Sequence, residues 1–436
     1  MIPEAPTSIR RNILLLLAGF SLVSYVLRSN ISIAAKFMKP ELGLDDVQMG
    51  QVFSAFMLGY ALFQIPGGWL GDRKGPRLVL ALAAAAWGVT TLLTGLVPAL
   101  GAFAVLLVLR FLLGAAEAAT YPVAARAVAN WFPLGERTFA NAVVIAGSTL
   151  GMVFNGPLVA ALMEARGWRA AFFATSALGL LIAVLWWQYA TNRPEQHARI
   201  NDAELMAIHA GKPNATTAAT PRAGAWRTVL RNRNIGLISL SYFLDSFVLF
   251  IFVFWFYLYL TDERGFSVLK GGVYNSLPYA FALVMLPLFG GLCDAAATRI
   301  GRGRSRRAFA IGCLLCSAIF LFLGAWVSAP LPAILCLSLA VGFLISTEGP
   351  FWSSTVESAG PHAGTAGGVM NTAGNLAGVV STALAPVLVR RIGWVATFAV
   401  CAIMLVVAGS IWMFVQDTQR NENQIEEGAT RHEPLQ

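Results

Sequence analysis

The chain has 436 residues, 57% of them hydrophobic and only 12% charged, with a mean hydropathy of +0.66. Soluble globular domains carry about a quarter charged residues, so a soluble reading of the whole chain is excluded. The net charge of +9 comes from short basic clusters between apolar runs, without a basic domain, which argues against a nucleic-acid partner and for topology signals.

A window of about 20 residues marks twelve spans, at 12–35, 47–70, 77–97, 102–124, 138–162, 169–190, 235–260, 268–292, 307–327, 330–353, 363–388 and 394–416. The fold class is therefore an all-α membrane protein. Arg10 and Arg11 precede the first span, but its roughly 23 apolar residues and lack of a small-residue cleavage pattern read as a retained helix rather than a signal peptide. Twelve spans put both termini on one side of the bilayer. That side carries 21 basic residues against 8 on the other, so the termini are expected in the cytoplasm. One long polar interruption gives four regions: 1–190, a six-helix bundle; 191–234, a cytoplasmic linker; 235–416, a second six-helix bundle; and 417–436, a cytoplasmic tail. Within the linker, 201–210 reads as a short helix capped by Asn201 or Asp202, and Pro213 to Gly224 as mobile chain. The polar tail after Asp417 reads as disordered.

Two arginines lie inside apolar stretches, Arg28 within Ile13 to Ala35 and Arg110 within Phe103 to Pro122. A cation in hydrocarbon is costly unless it faces a cavity or a partner, so each marks a functional site. Glu117 is the one acid in these two segments. About one positive charge is left unanswered, which predicts an anionic cargo. Arg28 lies about 16 residues from the cytoplasmic end of span 1 and Arg110 about 8 from the external end of span 4, so both sit at similar depth and face one cavity. Arg110 and Glu117 share a helix face roughly 10 Å apart along the axis, too far for a bridge within the helix, and each requires a partner elsewhere. Desolvation favours protonated Glu117 and a nearby arginine favours its carboxylate; that competition is what a proton-coupling site requires. The competing reading is a static charge network locking spans 1 and 4.

After span 2 the chain reads Gly67-Gly68-Trp69-Leu70-Gly71-Asp72-Arg73-Lys74-Gly75-Pro76-Arg77. Its small residues allow close helix approach, and Asp72 can accept from a helix N-terminus or an arginine. A degenerate copy, Gly290-Gly291-Leu292-Cys293-Asp294, follows span 8 with Arg299 behind it. Asp72 and Asp294 are 222 positions apart, consistent with duplicated halves. The loop resembles the signature between helices 2 and 3 of the major facilitator superfamily. Arg110 to Ala118 (RFLLGAAEA), Tyr121-Pro122, Asn130-Trp131-Phe132-Pro133, Gly167-Trp168-Arg169 and Arg193-Pro194-Glu195 are together similar to its anion:cation symporter family, which includes bacterial sugar-acid and aromatic-acid proton symporters and sialin-like carriers.

The resemblance implies twelve helices in two pseudo-symmetric six-helix bundles, with a central site reached by alternating access. It implies that Arg28 contacts the substrate carboxylate, that Arg110 and Glu117 form the helix 4 pair, and that Glu117 carries the coupling proton. Many bacterial members have Asp-Arg in helix 1, whereas Leu27 precedes Arg28 here, which argues against a two-carboxylate relay. Tyr25, Tyr60, Gln64, Ser148 and Asn155 lie where the resemblance implies substrate contacts. Trp352 and Ser353 follow Gly349-Pro350, a helix-breaking pair that could expose backbone to the site. Asn371 and Asn375, one turn apart, could face the same cavity. Asp245, near the middle of span 7, is a second candidate proton site, and Glu348 a gate or structural acid; if ionised, both weaken the charge count. The gating motif comprises Gly68, Asp72, Arg73, Gly75, Arg77 and Asp294.

The cysteines, Cys293, Cys313, Cys316, Cys336 and Cys401, read as packing residues. No metal cluster, nucleotide loop or nucleophile with a base is evident, so no metal, cofactor or enzymatic activity is expected. The expected function is import of a small organic carboxylate, a sugar acid or aromatic acid, with protons, by a monomer in the bacterial inner membrane in contact with lipid. The alternatives are an anion exchanger, a sodium-coupled carrier and, in a different class, an anion-binding membrane receptor.

Overall fold

The computed structural model describes residues 6–209 and 225–416. The expected mobile stretch from Pro213 to Gly224 and the tail from Asp417 lie outside the described residues. Among those described there are fourteen α-helices and no strand. In chain order they are α1 (Ile9–Leu42), α2 (Asp46–Lys74), α3 (Pro76–Gly95), α4 (Ala102–Glu117), α5 (Thr120–Trp131), α6 (Arg137–Tyr189), α7 (Asp202–His209), α8 (Ala225–Arg231), α9 (Arg233–Leu258), α10 (Val268–Ile300), α11 (Arg302–Trp326), α12 (Pro330–Ser346), α13 (Glu348–Ala359) and α14 (Ala363–Ile411).

Local chemistry sets the ends. Asp45 and Gln48 form a reciprocal capping box at the start of α2, so two otherwise unpaired backbone donors are satisfied. Pro76 and Pro330 open α3 and α12, where a missing N–H is harmless. Asn201 accepts from the Glu204 amide at 3.0 Å, the cap expected for the linker helix α7.

Nine helical stretches among the described residues are long and apolar enough to cross a membrane. Two of them, Arg137–Tyr189 with 53 residues and Ala363–Phe414 with 52, would each measure about 80 Å if straight, more than twice the hydrocarbon thickness. Each is instead broken by one glycine outside helical geometry, Gly167 (φ 79°, ψ 167°) and Gly393 (φ 78°, ψ 170°). Divided there, and joined by the 29-residue α2, they make the twelve spans. Two spans differ from a simple rod. Span 4 breaks after Glu117 into α4 and α5, and span 10 breaks at Thr347 into α12 and α13.

The chain packs as two compact units. The first comprises Met1–Ala218, Phe250–Ala280 and Gly378–Arg391; the second comprises Ala219–Leu249, Phe281–Ala377 and Ile392–Gln436. In the first unit, α2 and α4 touch backbone to backbone: a Cβ at Gly114 would overlap the Phe56 carbonyl oxygen, and one at Gly59 the Phe111 carbonyl oxygen. Glycine at both points lets the helices approach as small residues do in membrane bundles. The same unit holds Phe53 against Phe254 and Trp255, with ring centroids 5.1 and 5.2 Å away, and Ser54 donating to the Val379 carbonyl at 2.9 Å. In the second unit, Ser317 and Ser241 donate to the Ala340 and Ala408 carbonyls at 2.8 and 2.9 Å, joining α11 to α12 and α9 to α14.

The helix ends also fix the register of the duplicated motif. Gly75 (φ 82°) closes α2, and Gly301 (φ 87°), 226 positions later, separates α10 from α11. In that register Thr298 matches Asp72, so Asp294 stands four residues, about one turn, before the equivalent position.

Candidate functional site

The site in the first unit begins with a proline. Pro122 has no N–H for the Ala118 carbonyl, so the helix of span 4 loses its ladder there and α4 ends at Glu117. Glu117 is 0% exposed and receives Arg28 Nε at 2.9 Å. The Arg28 guanidinium also lies 4.5 Å from the Tyr25 ring centroid, 4.7 Å from Tyr60 and 5.1 Å from Phe56. Aromatic faces attract a cation most strongly where water is excluded, so this cage and the carboxylate together replace the lost hydration. Leu27, which stands where the resemblance implies an acid in many bacterial members, is fully buried and packs on α6, with a Cβ at Gly179 falling 2.9 Å from its Cδ2.

Arg110 has a different environment. It is 1% exposed, its Nη2 donates to Asn30 Oδ1 at 3.4 Å, and its guanidinium lies 5.5 Å from the Phe172 ring. Asn30 is held in turn by donating to Thr175 Oγ1 at 3.2 Å. Among the described residues, Arg110 Nε and Nη1 and Glu117 Oε1 have no hydrogen-bond partner. The structure thus brings Arg28, Arg110 and Glu117 into one unit without a bridge between Arg110 and Glu117. Glu117 forms its ion pair with Arg28, and Arg110 forms none among the described residues.

The remaining first-unit candidates fall around this pair. Tyr25 and Tyr60 form the cage, and Gln64 lies one turn beyond Tyr60, half-buried. Ser148 is buried and donates to the Ile145 carbonyl at 2.6 Å. Asn155 is 1% exposed, and neither of its side-chain polar atoms has a partner among the described residues. Of the first-unit residues expected to form the gating motif, two meet α5, a Cβ at Gly68 falling 3.3 Å from Pro122 and Asp72 lying 3.5 Å from Arg126, while Arg73 covers Trp69 of its own helix and Arg77 donates twice to the Trp187 carbonyl of α6.

In the second unit, Asp245 is 2% exposed and accepts from Thr347 Oγ1 at 3.1 Å. Glu348 accepts from Tyr242 Oη at 3.1 Å and from Trp352 Nε1 at 2.9 Å, so Trp352 is a partner of that acid. Neither acid forms an ion pair among the described residues. Ser353 and Asn371 are half-buried and Asn375 is buried. A Cβ at Gly374 would lie 2.6 Å from the Tyr242 ring, which places that stretch of α14 against α9. Asp294 is exposed.

Several buried polar residues were not singled out from sequence: Ser24, Asn30, Thr120, Asn275, Tyr279 and Thr347. Asn275 and Tyr279 carry the one signal that could have found them, polar residues one turn apart in an apolar helix, as for Asn371 and Asn375. No group of three or more potential metal ligands occurs among the described residues.

The backbone resembles solved transporters: a bacterial homologue of the human lysosomal transporter Spinster, with a TM-score of 0.74 at 18% identity over 94% of this chain and 97% of that one, and the xylose transporter XylE of E. coli, with 0.73 at 16% over 94% and 97%. In sequence the chain is 36% identical to the probable sulfoacetate transporter SauU of Cupriavidus necator, over 85% of each chain. It is 31% identical to the hexuronate transporter of Bacillus subtilis, over 87% of each, and 32% identical to the D-galactonate transporter of Escherichia coli, over 91% of this chain and 94% of that one. The family model described as Major Facilitator Superfamily matches residues 17–382. With these helices and these relatives, the chain belongs to the Major Facilitator Superfamily and is a membrane transporter rather than an enzyme.

Proposed function

We propose that the protein imports a small organic carboxylate with protons, by alternating access. The observation that carries this reading is the buried trio in the first unit. Glu117 is paired with Arg28, while two guanidinium nitrogens of Arg110 have no partner among the described residues. A carboxylate or other oxyanion matches those donors, and the planar guanidinium suits two parallel hydrogen bonds. Protonation of Glu117 would release Arg28 toward the same anion, and deprotonation would recapture it. This links proton and anion binding through one arginine. The names of the relatives, a sulfonated acid and several sugar acids, support the substrate class.

Asp245 is a second acid proposed to take up a proton, in the other unit. The protein is further proposed to act as a lipid-embedded monomer in a bacterial inner membrane, with both termini cytoplasmic. The 21-to-8 distribution of basic residues supports that orientation. With the interior negative, each net positive charge moved inward through about 100 mV would contribute roughly 2.3 kcal/mol.

The test is uptake of D-galactonate, D-glucuronate and sulfoacetate into proteoliposomes with an imposed pH gradient. Acid outside is expected to drive accumulation of at least one of them. Glu117→Gln is expected to abolish that accumulation and to retain exchange of the same acid across the membrane. Undiminished pH-driven accumulation in Glu117→Gln would refute the assignment. Counterflow without any response to the gradient would make the protein an exchanger, and strict sodium dependence a sodium-coupled carrier.

A further inference from the structure

We infer that Asn155, Asn275 and Tyr279 form an uncharged subsite that binds the hydroxyl groups of the transported acid, separate from the arginine that takes its charge; this deepens the carboxylate-transport reading and rests on it. All three residues belong to the first unit, and glycines bring them together. A Cβ at Gly156 of α6 would overlap the Gly272 carbonyl oxygen of α10, so the two helices meet backbone to backbone beside Asn155. On α10, Asn275 and Tyr279 follow Gly272 by three and seven positions, the spacing that keeps residues on one helix face. On α6, Gly151 lies one turn before Asn155, and a Cβ there would be 3.0 Å from the Tyr25 Cβ of α1. Asn155 therefore stands where α6 passes between α1 and α10. Tyr25 in turn contacts the Arg28 guanidinium and lies within electrostatic reach of Tyr279, so the cluster borders the charged site.

Asn155 is 1% exposed, and Asn275 and Tyr279 are 3% exposed. Both side-chain polar atoms of Asn155, the Oδ1 of Asn275 and the Oη of Tyr279 have no hydrogen-bond partner among the described residues. Buried polar groups are ordinarily paired, and leaving one unpaired is destabilising. Four such atoms on two helices that touch backbone to backbone therefore point to a ligand that pairs them. Its chemistry follows from theirs. Two amides and a phenol offer donors and acceptors and no charge. Hydroxyl groups, which both donate and accept, can answer every one of these atoms. A carboxylate or sulfonate only accepts and would leave the amide oxygens unpaired. A polyhydroxylated acid fits, with its anionic end at Arg110 and its hydroxyls here.

The test compares two six-carbon monocarboxylates, D-gluconate and hexanoate, by calorimetric titration of the full-length protein in nanodiscs. The wild type is expected to bind gluconate more tightly. Tyr279→Phe, which removes a single oxygen, and Asn275→Ala are each expected to weaken gluconate about fivefold, the worth of one net hydrogen bond. Hexanoate affinity should stay within about twofold, with Tm unchanged. Equal weakening of both acids, unaltered gluconate affinity in both variants, or a wild type without preference for gluconate would overturn the subsite and leave the carboxylate reading standing. A wild type that binds neither acid would overturn the subsite, and absence of uptake of D-galactonate, D-glucuronate and sulfoacetate as well would overturn the carboxylate reading.

Discussion

A guanidinium that enters hydrocarbon loses its hydration shell, and Arg28 recovers the loss from Glu117 and three aromatic rings. Breaking a buried pair by removing one partner typically costs about 3–5 kcal/mol, because the other charge is left uncompensated. Arg28→Met is therefore expected to lower Tm by several degrees, and adding Glu117→Gln to that variant is expected to restore much of it, since an amide needs no counter-charge. Thermal melts of the wild type, both single variants and the double variant check this. Losses that simply add would mean the two residues do not act as a pair. Arg110 predicts the opposite pattern. Its one hydrogen bond among the described residues is long and it forms no ion pair among them, so Arg110→Leu is expected to retain or raise Tm while weakening binding of D-gluconate at least tenfold, as truncating a charged anchor does. A Tm loss as large as that of Arg28→Met would identify Arg110 as a structural residue instead.

Prolines place the acids at the level of the helix. The ring of Pro122 and its absent N–H interrupt the ladder at Ala118, one residue past Glu117; Pro350 does the same for Ser346, and Glu348 follows that break. Replacing Pro122 with alanine returns the donor and should make α4 continuous with α5, turning Glu117 away from the end of a helix. Pro122→Ala is expected to fold with unchanged or higher Tm and to lose proton-driven accumulation while retaining exchange. Normal coupling in that variant would separate the break from the function. These elements also show what the sequence could convey. Spans were legible because hydropathy is a local sum, and the weakness of Gly349-Pro350 was legible because proline acts on its own helix. The break nonetheless falls at Thr347, since the missing donor is felt one turn earlier. Partners were not legible: Arg28 and Glu117 lie 89 positions apart, and nothing in either segment encodes which residue of the other it meets. That Asn275 Oδ1 and Tyr279 Oη have no partner among the described residues is likewise a property of packing, visible only when the surrounding atoms are in place.

Duplication is visible across the whole molecule in backbone angles more sharply than in side chains. Gly75 and Gly301, and again Gly167 and Gly393, are each 226 positions apart and share nearly the same positive φ. The residues after the second pair repeat as well, with Trp168 on Phe172 at 5.9 Å and Trp394 on Phe398 at 5.6 Å. Asp72 and Asp294 do not fall into this register, so the shared device is the turn that ends one span and starts the next, and charge was free to diverge around it. The turn is testable in isolation from packing, because a Cβ added at Gly167 or Gly393 would meet no atom within 4 Å. Any penalty for alanine there is the penalty of the backbone itself, about 1–3 kcal/mol for a conformation that only glycine adopts readily. Gly167→Ala and Gly393→Ala are therefore expected to lower Tm by similar amounts, each without altering the affinity for D-gluconate. A large loss at one position and none at the other would mean that only one of the two kinks is fixed by the fold, and that the repeat in φ does not reflect equivalent roles.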